Sequence, residues 1–150
     1  MLGKTAGGLF WMFRFLERSE NTARLLDAGF RIALTRSTAA ENEWASVVAT
    51  AGVTHEYKGK YDQYIARHVI DFLLRDKANP SSVWSVIDGA RNNARMVRTA
   101  LTREVWEATN ECWITLKDLL SSPISERDLP EVLGTIRQQS ALVRGALHGT

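Results

Sequence analysis

From Arg14 to Arg24 the chain reads Arg-Phe-Leu-Glu-Arg-Ser-Glu-Asn-Thr-Ala-Arg, which puts two carboxylates, three guanidinium groups and an amide within eleven residues. On a helix, side chains three and four positions apart are neighbours. That spacing lines up Arg14, Glu17, Asn21 and Arg24 as one ridge, with Glu20 and Asp27 beside it on the apolar side. Two chemistries fit. The ridge is a solvated, ion-paired face, in which each exposed pair contributes about 0.3–0.5 kcal/mol. Alternatively Glu20, flanked by Leu16, Ala23 and Phe30, is drawn inward. A carboxylate in that setting must find a cation or hold a proton. Arg24, or an arginine from another helix, is then its partner, and Glu20 with Glu17 becomes a candidate general acid/base.

A second set of charges lies further on. Arg91, Arg95 and Arg98 recur at i, i+4 and i+7, and Glu104, Glu107 and Glu111 at i, i+3 and i+7. Joined by a tight turn at Leu101-Thr102, these stretches either form an interhelical charge seam or leave the arginines as a fork for a carboxylate or phosphate. Metal chemistry finds no support, because di-iron bundles need Glu-x-x-His pairs and none occurs around His55, His68 or His148. Gly3-Lys4-Thr5 imitates the end of a phosphate loop, but the glycine-rich segment and strand that would precede it are missing. Cys112 reads as a small core residue. No metal and no cofactor is expected.

Long helices must position these groups. Apolar residues recur in steps of three, four or seven from Thr5 to about Arg36, at Leu9, Phe13, Leu16, Ala23, Phe30 and Leu34. A second helix spans Glu41–Ala51, closed by Gly52, and 52–60 reads as a loop. A third runs from about Asp62 to Arg75. Asn79 caps a fourth, with Pro80 in its first turn, continuing to about Leu101. Thr102 caps a fifth through Leu120, and Pro130 opens the last. Without a sustained period-two alternation, the spacing predicts an all-α bundle of five to six helices with short loops. Of the five tryptophans, Trp11 and Trp84 fall off the apolar stripes and are expected to face a partner.

The 150 residues suffice for one domain with a substantial core. Nineteen basic against seventeen acidic residues give a formal charge of +2 without a basic run, so neither nucleic acid nor a membrane surface is expected as partner. No segment approaches the roughly 20 apolar residues of a membrane span. One cysteine and no secretion signal point to the cytosol.

Preceded by Thr5-Ala6 and Trp11, the stretch from Phe15 to Leu26 resembles the signature of the bacterial alpha-E domain family. The resemblance continues through Asn79-Pro80-Ser81-Ser82, Ala90 to Arg95, Glu104-Val105-Trp106-Glu107 and Leu142-Val143-Arg144-Gly145. It implies a helical fold in which Glu17, Arg18, Glu20, Asn21 and Arg24 carry the family's motif, while Gly7 and Asn92 stand where acidic residues are expected. Genes of this family tend to accompany circularly permuted ATP-grasp and transglutaminase-like proteins, which implies an accessory role in peptide ligation or modification through protein–protein contact. The alternative is an enzyme using Glu20 on a peptide or amino-acid substrate. Members have a second half with another copy of the motif, so residues 1–150 are expected to be the N-terminal half of a longer fold. Self-association, or pairing with a second-half chain, is then expected to cover the apolar face left open.

Overall fold

The computed structural model describes residues 2–35, 40–96 and 101–148, with side chains from residue 9 onward. Among them are seven α-helices and no strand: α1 (Leu2–Thr35), α2 (Ala40–Thr50), α3 (Thr54–Lys58), α4 (Ala66–Leu74), α5 (Val83–Met96), α6 (Arg103–Leu119) and α7 (Leu129–His148). The side chains of Lys4 and Thr5, and residues Arg36, Val97 and Arg98, lie outside this description. The all-α expectation holds, with seven helices in place of five or six.

Four helices make the bundle. α1 packs on α5 and α7, and α6 packs on the same two from the opposite corner. Neighbours run antiparallel. Trp11 and Arg14 of α1 meet Gly89 and Ser81 respectively, and Asp88 and Arg91 of α5 meet Trp113 and Asn110 of α6. The short helices α2 to α4 form the excursion between α1 and α5. At 34 residues α1 is about 51 Å long, enough to pack on both the bundle and α2. Its meeting with α2 is close: a Cβ on Gly29 would lie 2.8 Å from Val47.

The buried face of α1 is rotated from the one its apolar spacing suggests. Met12, Phe15, Leu16, Ser19, Thr22, Ala23 and Leu26 are buried, whereas Phe13 and Leu34 are 53% and 67% exposed. Small polar residues caused the misreading. Ser19 and Thr22 occupy the centre of the inward arc, so the true stripe looks half polar in sequence. The Ser19 hydroxyl stands 3.3 Å from that of Ser140 and 3.2 Å from the Leu16 carbonyl oxygen, so burial leaves it partnered.

Three boundaries also moved. The loop at 52–60 holds α3, too short to show a period, around the fully buried Tyr57. The Tyr57 hydroxyl donates to the Gln63 carbonyl at 2.7 Å, and extended Ile65 delays α4 until Ala66. Asn79 does not cap α5. Its side chain is buried, donating to the Phe72 carbonyl at 2.9 Å, and Ser82 takes the cap by accepting from the Ser85 amide at 3.1 Å. Leu101 no longer belongs to that helix. Two expectations hold as stated: Thr102 caps α6, and Gly52 ends α2 with φ +77°.

Candidate functional site

The signature stretch occupies the middle of α1, and one helix surface distributes its residues in three directions. Toward α5 and α2 point Arg14 and Arg18. Arg14 reaches the Ser81 hydroxyl at 3.5 Å, and Arg18 reaches the Ala51 carbonyl at 3.5 Å. Burial, reinforced by the neighbouring Arg14 and opposed by Glu17, lowers the Arg18 pKa. The Nε of Arg18 is buried without a hydrogen-bond partner among the described residues. Outward point Glu17 and Arg24, both exposed, with the half-buried Asn21 between them.

Toward α7 points Glu20. Its carboxylate accepts a hydrogen bond from the Arg144 guanidinium, an ion pair with side-chain exposures of 38% and 42%. The expected cationic companion therefore exists and comes from another helix rather than from Arg24. Glu20 is nonetheless not lodged inside the core. The rotation of α1 puts it at the rim, where water reaches both partners. Two turns on, Asp27 lies 3.8 Å from Arg137 of α7 and 3.3 Å from Arg31, and Arg137 also donates to the Ala23 carbonyl at 3.4 Å. Two ion pairs and a backbone hydrogen bond thus stitch α1 to α7.

Between these stitches opens a cleft of about 480 Å³, lined by Glu20, Arg24, Arg137, Ala141, Arg144, Gly145 and His148. That is within the size range of small-ligand sites. Three guanidinium groups face one carboxylate, and Asp27 just beyond the rim leaves the balance positive. Such a lining favours carboxylate or phosphate oxygens, which arginine meets with two parallel N–H donors.

The other predicted groups do not join this site. Arg91 and Arg95 sit on α5, which α1 separates from the cleft. Arg91 lies over the Trp113 ring at 4.3 Å and offers Nε to Asn110 at 3.4 Å, while Arg95 is exposed. The charge seam with α6 does not form among the described residues. Glu104, Glu107 and Glu111 turn instead toward α7, lining a groove with Gln139, Leu142 and Ala146, and Glu107 pairs with Arg103 of its own helix at 2.8 Å. Trp11 and Trp84 find neighbours within the chain, Trp11 over Gly89 and Trp84 stacked 6.3 Å from Trp113. Cys112 is fully buried, and burial pushes its thiol up to about 12. The residues that sequence reasoning missed are Arg137, Arg144, Gly145 and His148 as cleft walls. Arg144-Gly145 belonged to the resemblance, but only the packing of α7 on α1 brings them opposite Glu20.

The Alpha-E family, described as a predicted alpha-helical domain with a conserved ER motif, matches residues 1–150. The chain therefore belongs to the Alpha-E family. No curated protein and no solved structure matches it significantly. Among the described residues no helix is long and apolar enough to cross a membrane.

Proposed function

We propose that this chain is an accessory helical module of a bacterial peptide-ligation or peptide-modification system, acting in the cytosol by binding its partners. The observation that carries the reading is where α1 puts its motif. Glu17 and Arg24 are exposed and have no ion-pair partner among the described residues, and Phe10 and Phe13 on the same outer arc are 60% and 53% exposed. Charged and aromatic groups that the fold does not use for its own packing suit recognition by another protein. ATP-grasp-like and transglutaminase-like proteins are the partners we propose, on the resemblance described above.

Isothermal titration against a purified ATP-grasp-like protein encoded beside the gene tests this. The expected result is a saturable complex weakened at least tenfold by Glu17→Ala and Arg24→Ala, with unchanged melting temperatures. Binding untouched by both changes, or no binding to either partner class, would contradict it. A second reading, an enzyme with Glu20 as general acid/base, draws on the position of that carboxylate in the cleft. It requires Glu20→Gln to abolish peptide modification while leaving partner affinity intact.

A further inference from the structure

α7 contains two glycines in its interior, Gly134 and Gly145. Glycine destabilises a helix interior relative to alanine, so its presence calls for a reason. Elsewhere in the molecule close packing supplies one: a Cβ on Gly29 or Gly89 would lie 2.8 Å from Val47 or 2.9 Å from Trp11. Around Gly145, as around Gly134, nothing among the described residues lies within 4 Å of where a Cβ would be. No neighbour among the described residues requires the missing side chain at either glycine, and Gly145 is the one of the two that the α1–α7 cleft includes. Gly145 lines the α1–α7 cleft together with Ala141 and three arginines.

The arginines differ in commitment. Arg144 is held by Glu20, and Arg137 is steadied by Asp27 and the Ala23 carbonyl while remaining 47% exposed. Arg24 is exposed and has no ion pair among the described residues. Two guanidinium groups, one oriented and one free, thus line the cleft together with two small residues that let a ligand backbone approach closely. From this we infer that the cleft binds a carboxylate-bearing peptide, its carboxylate clasped by Arg24 and Arg137 and its main chain laid against Ala141 and Gly145. The peptide identity of the ligand rests on the partner-binding reading above, while the carboxylate preference rests on the cleft itself. The carboxylate is either a side chain of Asp or Glu or the chain terminus, since both offer the same two oxygens.

Fluorescence anisotropy with amino-terminally labelled tetrapeptides tests the inference. Three probes serve: Gly-Ala-Glu-Glu with a free carboxyl terminus, the same peptide amidated, and Gly-Ala-Gln-Gln with a free terminus. Binding kept by the amidated peptide assigns side-chain carboxylates, and binding kept by the glutamine peptide assigns the terminus. In either case Gly145→Leu, which places a side chain in the cleft from a position where a Cβ meets open space, and Arg24→Gln should each weaken binding at least tenfold with the circular-dichroism spectrum unchanged. Absence of saturable binding by all three probes at millimolar concentration would overturn the inference, as would binding that both variants leave unchanged, which would mark diffuse surface charge. A failure here with the ATP-grasp-like complex still formed removes the peptide site and leaves the module. Loss of the complex alone removes the module and leaves the site.

Discussion

Glu20 and Arg144 show how magnitude separates a structural from a recognitional role. With both partners more than a third exposed, the pair contributes no more than about 0.2–1 kcal/mol. That is too little to hold α7 in place beside a seam that buries Leu16, Ala23, Ile136 and Val143. Glu20→Gln should therefore lower the melting temperature by no more than about 4 °C, measured by calorimetry. A loss much beyond that would make the residue a structural keystone. Buried titratable groups behave differently. Burial pushes the Cys112 thiol up to about 12, and burial with Tyr61 and Tyr64 alongside pushes the Tyr57 phenol to the same value. Hydrogen bonding to Asp76 also raises the Lys60 pKa. Each group keeps its proton in the folded state after the unfolded chain has released it, so each contributes stability at neutral pH that is lost as pH rises through the folded value. The melting temperature should thus fall between about pH 9 and 12, and Cys112→Val should remove the part of the fall that begins near the ordinary thiol pKa. A melting temperature unaffected by alkali would contradict these burials.

At the level of elements, glycines divide into those that packing needs and those it does not. Gly29→Ala and Gly89→Ala press a methyl group into Val47 or Trp11 and should cost about 1–3 kcal/mol, as overpacked cores do. Gly145→Ala meets open space and should stabilise α7 by about 0.5–1 kcal/mol. Chemical denaturation of the three variants checks the contrast, and a uniform sign across them would refute it. Helices with unbroken spacing were legible in sequence for the same reason they fold: Val83, Ile87, Ala90 and Ala94 bury one continuous stripe. α1 was legible as a helix but not in its rotation, because the serine and threonine at its centre pair locally or across the seam instead of reading as apolar. α3 was not legible. A single turn has no period, and its stability comes from tertiary burial of Tyr57 against Tyr64, stacked at 4.9 Å, and Phe72, edge-on at 5.4 Å.

Across the whole molecule, the antiparallel ring of α1, α5, α6 and α7 sorts charge onto different faces of α7. Its Arg137, Arg144 and His148 side borders the cationic cleft with α1, and its Gln139, Leu142 and Ala146 side borders the glutamate groove of α6. Sequence spacing supplied the α1 half of the cleft, including Glu20 and Arg24. The α7 half needed a register between helices more than a hundred residues apart, set by Ser19 against Ser140 and Asp27 against Arg137, which no local pattern encodes. The same long-range packing gives Arg91 an aromatic face instead of a carboxylate, so among the described residues the expected α5–α6 charge seam does not form.

Partner binding is placed on the outer arc of α1, where Phe10, Phe13, Glu17 and Arg24 are exposed. At 16.8 kDa the protein is open to 15N NMR. Titration with the ATP-grasp-like partner should broaden the amides of Phe10, Phe13 and Glu17 and the Nε–H signal of Arg24, while the indole signal of Trp113 and the Nε–H of Arg91 stay sharp. Broadening confined to Trp113 and Arg91 on the opposite seam, or signals that never change, would contradict it.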